Sequence, residues 1–368
     1  MYFNYLFSPF RYRPLYQEVV LTMDLSGHPH RRYNPLLDEW ILVSPQRTRR
    51  PWQGKTGEII KPPEAPYDPD CYLCPGNKRA EGAVNPAYSG TFVLNNDFSA
   101  LYPEVPCTAL DEGGLIVAKS EKGLCRVVCF SPRHDLTMPR LSVNAIGGVI
   151  ETWIEQYTEL GSMKAINFVQ IFENKGSLMG CSNLHPHGQI WANEEVPVIP
   201  ARENTCQGEY YKSKKHCLLC DYLTLELKNK ERVVFENDSF AVLVPFWAVW
   251  PFEIMVLPKE HLSCITDMDG AAQKELAGAL KKITARYDNL FLTSFPYSMG
   301  IHQRPTDGRD HPEWHFHFHF FPPLLRSSTV QKFMVGYELL AMPQRDITAE
   351  LAAKKLRELS SVHYLEKQ

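Results

Sequence analysis

His185-Pro-His187-Gly-Gln189-Ile-Trp191 is the stretch on which the reading of this chain turns. Alternate residues of a strand share a face, so positions 185, 187 and 189 point the same way. His187 has no hydroxyl or thiol beside it to activate, which makes the ring itself the candidate nucleophile, able to attack phosphorus and form a phosphoryl-histidine adduct. Taken alone, the His-x-His pattern equally suits a metal pair or two surface histidines. Its context decides.

Working outward, the same order of signals occurs twice. The first half runs Cys71-Tyr-Leu-Cys74, then the apolar Val127-Val-Cys-Phe130 leading into Ser131-Pro-Arg-His134, then a helix, then His185-Pro-His187. The second runs Cys217-Leu-Leu-Cys220, then Ile254-Met-Val-Leu257 leading into Pro258-Lys-Glu-His261, then a helix, then His317-Phe-His319. In the first half Ser142 can cap a helix whose Ile146, Val149, Ile150, Trp153, Ile154, Tyr157 and Leu160 recur at three- and four-residue spacing. Its counterpart spans about 269–290, with Leu276, Leu280, Ile283 and Tyr287 spaced likewise. Strand-like runs at 166–172 and 295–301 sit between helix and histidines. The expected fold class is α+β, each half an antiparallel sheet packed on a helix. Segments 53–70, 104–114 and 305–312 read as irregular loops, and 348–359 as a further helix.

With 368 residues, 44% of them hydrophobic and 22% charged, the chain can bury one large core or two moderate ones. The net charge of −3, with no basic run, argues against a nucleic-acid or membrane-surface partner. No apolar stretch reaches the roughly 18–20 residues that span a bilayer. Residues 1–22 read as an appended tail, with Met23 an alternative start. Ten cysteines in so long a chain are not a disulfide scaffold; two Cys-x-x-Cys pairs instead suggest metal in a reducing, cytoplasmic compartment.

Several further runs carry a resemblance: His28-Pro-His-Arg-Arg-Tyr-Asn-Pro35, Arg47 to Trp52, Gln170 to Gly176, Cys181 to Gln189, Ser294 to Gly300 and Pro322 to Tyr337. Together they make the chain resemble the galactose-1-phosphate uridylyltransferases of the histidine triad superfamily over nearly everything after His28. The resemblance implies two histidine-triad-like half-domains, divided here as 28–200 and 201–368 after a tail at 1–27, and a homodimer. It also implies ping-pong transfer of UMP from UDP-glucose to galactose 1-phosphate through a uridylyl-histidine at His187. A nucleotide-sugar phosphorylase or hydrolase on the same scaffold is the alternative. Gln189 favours transfer. Hydrolases of this superfamily place there a third histidine able to protonate a poor leaving group, whereas a sugar phosphate leaves as a stable anion and needs only a hydrogen bond.

The resemblance further implies a structural zinc on Cys71, Cys74, His134 and His185, a Cys2His2 set of the tetrahedral kind. It implies a second site, for iron or zinc, on Glu203, His302, His317 and His319. Internal symmetry offers a competitor, Cys217, Cys220 and His261 with His317, while His315 reads as solvated. For substrate, the resemblance implies Asn96, Asp97 and Phe98 around the uridine, Asn174 and Ser182 near the phosphates, and Phe333, Val335, Tyr337, Glu338 and Gln344 at the hexose. Arg47, Arg50 and Lys332 are the candidate phosphate donors, each otherwise a solvated charge.

Overall fold

Nine antiparallel strands form one sheet in which the two halves of the chain meet at the centre. The computed structural model describes residues 25–49, 65–80, 82–325, 331–332 and 334–366. In chain order the strands are β1 (Phe92–Asn95), β2 (Gly123–Cys129), β3 (Phe168–Lys175), β4 (His187–Asn193), β5 (Val233–Glu236), β6 (Phe240–Leu243), β7 (Ile254–Pro258), β8 (Tyr297–His302) and β9 (His317–Phe321). Their spatial order is β1-β2-β4-β3-β8-β9-β7-β6-β5. Read from the β3–β8 seam, each half runs outward alike: β3, β4, β2, β1 on one side and β8, β9, β7, β6 on the other. The seam pairs Gly300 with Phe172 and Tyr297 with Lys175. Thus the duplicated order of motifs is a duplicated arrangement of strands.

One face of this sheet carries the helices expected from the apolar spacing. Helix α1 (Val143–Gly161) starts where Ser142 accepts the Ala145 amide, and buries Ile146, Val149, Ile150, Trp153, Tyr157 and Leu160. Helix α4 (Gly270–Phe291) starts where Asp269 accepts the Ala272 amide, and buries Leu276, Leu280, Ile283 and Tyr287. Both pack with Ile190, Ala192, Val242, Val256, Phe318 and Phe320 of the sheet in one core, which α5 (Ala349–Glu358) extends. Lys175 and Asp288 tie α4 to the seam through a buried ion pair at 2.6 Å, with His363 also on Asp288 at 3.1 Å. Alternation along the strands turns the intervening side chains to the second face. There Ala241, Leu243, Met255 and Leu257 meet helix α3 (Leu218–Asn229) and the hairpin His30–Asn34/Glu39–Val43. On the first half of that face Leu94, Val127 and Cys129 meet the Cys71–Cys74 turn.

Three features differ from the sequence expectation. Segment 104–114 is not all irregular, because Ala109–Glu112 pairs with Ile116–Lys119 around Gly113 and Gly114, both at positive φ. Helix α2 (Val198–Lys214) has no apolar stripe; its buried residues are Pro200, Glu203, Cys206 and Gln207, helically spaced but largely polar. The division expected after residue 200 falls inside this helix. Residues 1–22, Arg50, 53–64 and Phe333, each given a reading above, lie outside the described residues.

Candidate active site and metal centres

Pairing of β4 with β2 and β3 fixes which way each side chain of the central motif stands. Ile190 and Ala192 enter the helix-covered core, so His187, Gln189 and Trp191 occupy the opposite face and remain partly exposed. The strand begins at His187, so His185 lies just before it, in the turn rather than in the strand. Gly188 permits the close packing beneath: a Cβ there would sit 2.9 Å from both the Phe130 ring and the Phe172 carbonyl oxygen.

The His187 ring is oriented by its own backbone. Its Nδ1 lies 2.7 Å from the His185 carbonyl oxygen. A carbonyl only accepts, so Nδ1 carries the proton and Nε2 keeps its lone pair. Burial lowers the imidazole's pKa below its usual range, which keeps the ring neutral near pH 7. Gln189 is oriented by similar logic. The Trp191 indole, a donor only, gives its hydrogen to the amide oxygen at 3.1 Å and leaves the NH2 group to donate elsewhere.

His187 and Gln189 line a cavity of about 300 Å³ together with Asn96, Asp97, Phe98 and Ser182. The Asn96 side-chain oxygen accepts the Phe98 amide at 2.9 Å, closing a turn that leaves the Phe98 ring exposed and able to stack. Arg79 holds Asp97 at 3.2 Å. Asn174, whose oxygen accepts the Ser298 hydroxyl at 2.7 Å, lines an adjoining cleft that also reaches His187. Sequence reasoning missed Tyr72 and Leu73 as cavity wall. The Cys-x-x-Cys turn held the signal, since its two middle residues must project past the cysteines. The other candidates whose side chains are described are not part of the cavity wall. Arg47 and Gln344 both meet Asp346, at 3.5 and 2.9 Å, Glu338 meets Arg345 at 3.3 Å, and Val335 and Tyr337 are exposed. Lys332 lies in the short strand Gln331–Lys332, its side chain outside the described residues.

Three groups of four potential metal ligands flank these strands, the donor atoms of each group within 4.8 Å of one another. The first is Cys71, Cys74, His134 and His185, all buried. His185 Nε2 faces the Ser131 carbonyl at 2.8 Å and therefore carries the proton, leaving Nδ1 directed at the Cys74 sulfur, 3.5 Å away. His134 Nδ1 lies 3.6 Å from the same sulfur. With zinc–sulfur and zinc–nitrogen bonds of about 2.3 and 2.0–2.1 Å, the sulfur–nitrogen edge of a tetrahedron is about 3.5 Å, so a zinc ion fits. Burial lowers His185 to about pKa 4 and raises Cys74 to about 11.

The second group is Glu203 of α2 with His302, His317 and His319. His302 Nδ1 lies 2.9 Å from the Glu203 carboxylate, and His317 and His319 stand 3.7 and 3.6 Å from it. Burial raises the Glu203 pKa, but His302, with His319 and His317, outweighs it and holds the carboxylate well below its usual range. His317 is lowered to about 3, by burial first and then by His319. A carboxylate converging with three imidazoles is a donor set for a divalent cation.

The third group corrects the sequence reading. Cys217, Cys220 and His261 converge with His315, not with His317, and His315 is fully buried rather than solvated. The error was one of register: His315 is the counterpart of His185, His317 of His187 and His319 of Gln189. No histidine is shared between groups.

The chain is a nucleotidyltransferase, and its cavity-facing imidazole beside an amide donor stands on a sheet whose two halves repeat one strand order. The chain belongs to the galactose-1-phosphate uridylyltransferase family, matching its N-terminal domain over residues 20–197 and its C-terminal domain over 203–368. It is 52% identical over 340 residues to the galactose-1-phosphate uridylyltransferase of Haemophilus influenzae, covering 92% of this chain and 97% of that one. It is 47% identical over 359 residues to that of Saccharomyces cerevisiae, covering 94% and 98%. Among solved structures it is similar to a uridylyltransferase (25% identity, TM-score 0.72, covering 92% and 99%). An ADP-glucose phosphorylase from Arabidopsis thaliana shares the fold (24% identity, TM-score 0.71, covering 90% and 99%). The fold and family expected from the motifs are borne out.

Gly188→Ala tests the packing under His187. The clash includes a backbone oxygen that cannot rotate away, so the variant is expected to lose about 1–3 kcal/mol of stability in denaturant unfolding. Transfer activity should fall with it, since β4 carries His187. Unchanged stability and activity would show that β4 has room the structure denies it.

Proposed function

We propose that His187 is the nucleophile of this chain's uridylyl transfer and that Gln189 holds the phosphoryl group in line. The activity itself is that of the family: transfer of UMP from UDP-glucose to galactose 1-phosphate, yielding glucose 1-phosphate and UDP-galactose, by ping-pong through a uridylyl-histidine. The observation that supports the residue assignment is the His187 Nδ1 contact with the His185 carbonyl, which leaves a neutral Nε2 at the cavity.

The His187 Nε2 lone pair forms a bond to the α-phosphorus of UDP-glucose as the bond to the bridging oxygen breaks, and that electron pair departs with glucose 1-phosphate. The ring becomes cationic in the adduct, and the carbonyl on Nδ1 stabilises that charge. An oxygen of galactose 1-phosphate then attacks the same phosphorus, and Nε2 recovers its pair. Neither step needs a proton donor, and Gln189, which has no titratable proton, supplies a hydrogen bond to a phosphoryl oxygen and no acid. In this reading Asn96, Asp97 and Phe98 receive the uridine, and Ser182 and Asn174 the phosphates.

Cys71, Cys74, His134 and His185 would hold a structural zinc, and Glu203, His302, His317 and His319 a second ion, iron or zinc. Bound there, such ions fix geometry beside the site. We assign the hexose to Val335, Tyr337, Glu338 and Gln344, with Phe333, and phosphate contacts to Arg47, Arg50 and Lys332. Those described residues do not line the His187 cavity of their own chain, which supports a homodimer whose second copy brings them to it. The two half-domains, 28–200 and 201–368, then follow the duplicated strand order. Ten free cysteines support a cytoplasmic setting. No helix among the described residues is long and apolar enough to cross a membrane.

Exchange of labelled glucose 1-phosphate into UDP-glucose, with no galactose 1-phosphate present, tests the assignment. The wild type is expected to catalyse it, and His187→Ala to lose more than about a thousandfold of the rate, because no neighbouring group can take the phosphorus. Near-normal exchange in the variant would remove His187 from the role.

The pH dependence of the first half-reaction has a definite sign. Attack needs the unprotonated ring, and burial lowers the His187 pKa below the ordinary 6.5. The single-turnover rate from UDP-glucose should therefore hold as pH falls through 6.5 and decline only at lower pH. A decline beginning above pH 7 would contradict the buried, neutral imidazole.

A further inference from the structure

We propose that Cys217, Cys220, His261 and His315 bind a third metal ion, zinc, at a site distinct from the two assigned above. The argument rests on four side chains brought together from three places in the second half of the chain. Cys217 caps α3 and Cys220 lies in its first turn, His261 follows β7, and His315 precedes β9.

The carbonyl, sulfur and ring contacts described for the histidines of the first Cys2His2 group have their counterparts here. His315 Nε2 faces the Pro258 carbonyl at 3.0 Å, as His185 Nε2 faces that of Ser131. Carbonyls accept, so in both rings Nε2 carries the proton and Nδ1 presents its lone pair to the cysteines. His315 Nδ1 lies 3.2 Å from the Cys220 sulfur and 3.7 Å from that of Cys217, while His261 Nδ1 lies 3.4 Å from Cys220. These values bracket the sulfur–nitrogen edge of about 3.5 Å expected for zinc. The edge-on ring packing also matches, with His261–His315 and His134–His185 centroids both 5.5 Å apart.

A redox pair would use the two cysteines without the histidines. Here a fully buried imidazole aims its free nitrogen at both sulfurs, an arrangement that a thiol–disulfide couple does not require and a tetrahedral cation does. Two thiolates with two imidazoles select zinc over harder cations. The group also has a way in. His261 is exposed, and the cluster borders a cleft of about 710 Å³ also lined by Asp221, Asp267, Arg304 and His311. The consequence falls on the neighbouring site, since the backbone of His315 receives the His317 Nδ1 proton at 2.7 Å. Fixing His315 thereby fixes His317, whose Nε2 faces Glu203.

Native mass spectrometry and metal analysis of the full-length chain, purified with zinc supplied, test the proposal. The wild type is expected to carry three ions per chain and the Cys217→Ser/Cys220→Ser variant two, with the Cys71/Cys74 site still filled. A measurement on the wild type alone keeps the test independent of how the variant folds. After cobalt replacement, thiolate-to-cobalt charge-transfer intensity per chain should match four thiolate ligands rather than two. The proposal is overturned by wild-type intensity for two thiolates, by equal metal content in wild type and variant, or by a Cys217–Cys220 disulfide, seen as the loss of two hydrogens without metal.

Discussion

A hydrogen bond from a histidine ring to the carbonyl two residues back along the chain decides what the centre of each half can do. His187 makes it to His185, and His317 makes it to His315, both at 2.7 Å. Each contact forces the proton onto Nδ1 and leaves Nε2 as a lone pair on the far side of the ring. The difference between the halves lies in what that lone pair meets. In the first it meets a cavity lined by Asn96, Asp97 and Ser182; in the second it meets Glu203 and His319, 3.7 and 3.0 Å away. One backbone device thus leaves a free Nε2 at a cavity in one half and beside a carboxylate and a second imidazole in the other.

The carbonyl works only if it is held still, and the Cys2His2 groups stand where that holding is needed. His185 and His315 each supply both the carbonyl and a ring that anchors it, through Nε2 to Ser131 or Pro258 and through Nδ1 towards a cysteine pair. An ion on those four ligands would immobilise the turn before the strand without touching the reacting atoms. Beneath the strand, Gly188 lets β4 settle against Phe130 and the Phe172 backbone, so His187 is braced from the chain end and from below.

The helices, most strands and the placing of His187 beside Gln189 on one strand face were legible because each leaves a local mark. Ser142 and Asp269 announce α1 and α4, apolar spacing sets their buried faces, and alternation places His187 and Gln189 together. Helix α2 was not legible, since the face that should have been apolar carries Glu203 to His302 and Gln207 to the His315 backbone. His315 was misread for a related reason: three histidines at alternate positions 315, 317 and 319 give no internal clue to register. Only the tertiary pairing of His315 with Pro258 and the cysteines separates it from His317. The motifs named the wall residues Asn96 to Phe98, Ser182, His187 and Gln189, but not which segments stay outside the cavity, as Tyr337 and Gln344 do, because that depends on packing between distant segments.

The central claim is that the His185 carbonyl selects Nε2 of His187 as the attacking atom. The direct measurement is phosphorus–nitrogen NMR on chain labelled with 15N at histidine and trapped with UDP-glucose in the absence of acceptor. The account predicts one uridylyl group per chain, bonded to Nε2 of His187, with Nδ1 still protonated. Attachment at Nδ1, or at any other residue, would contradict it.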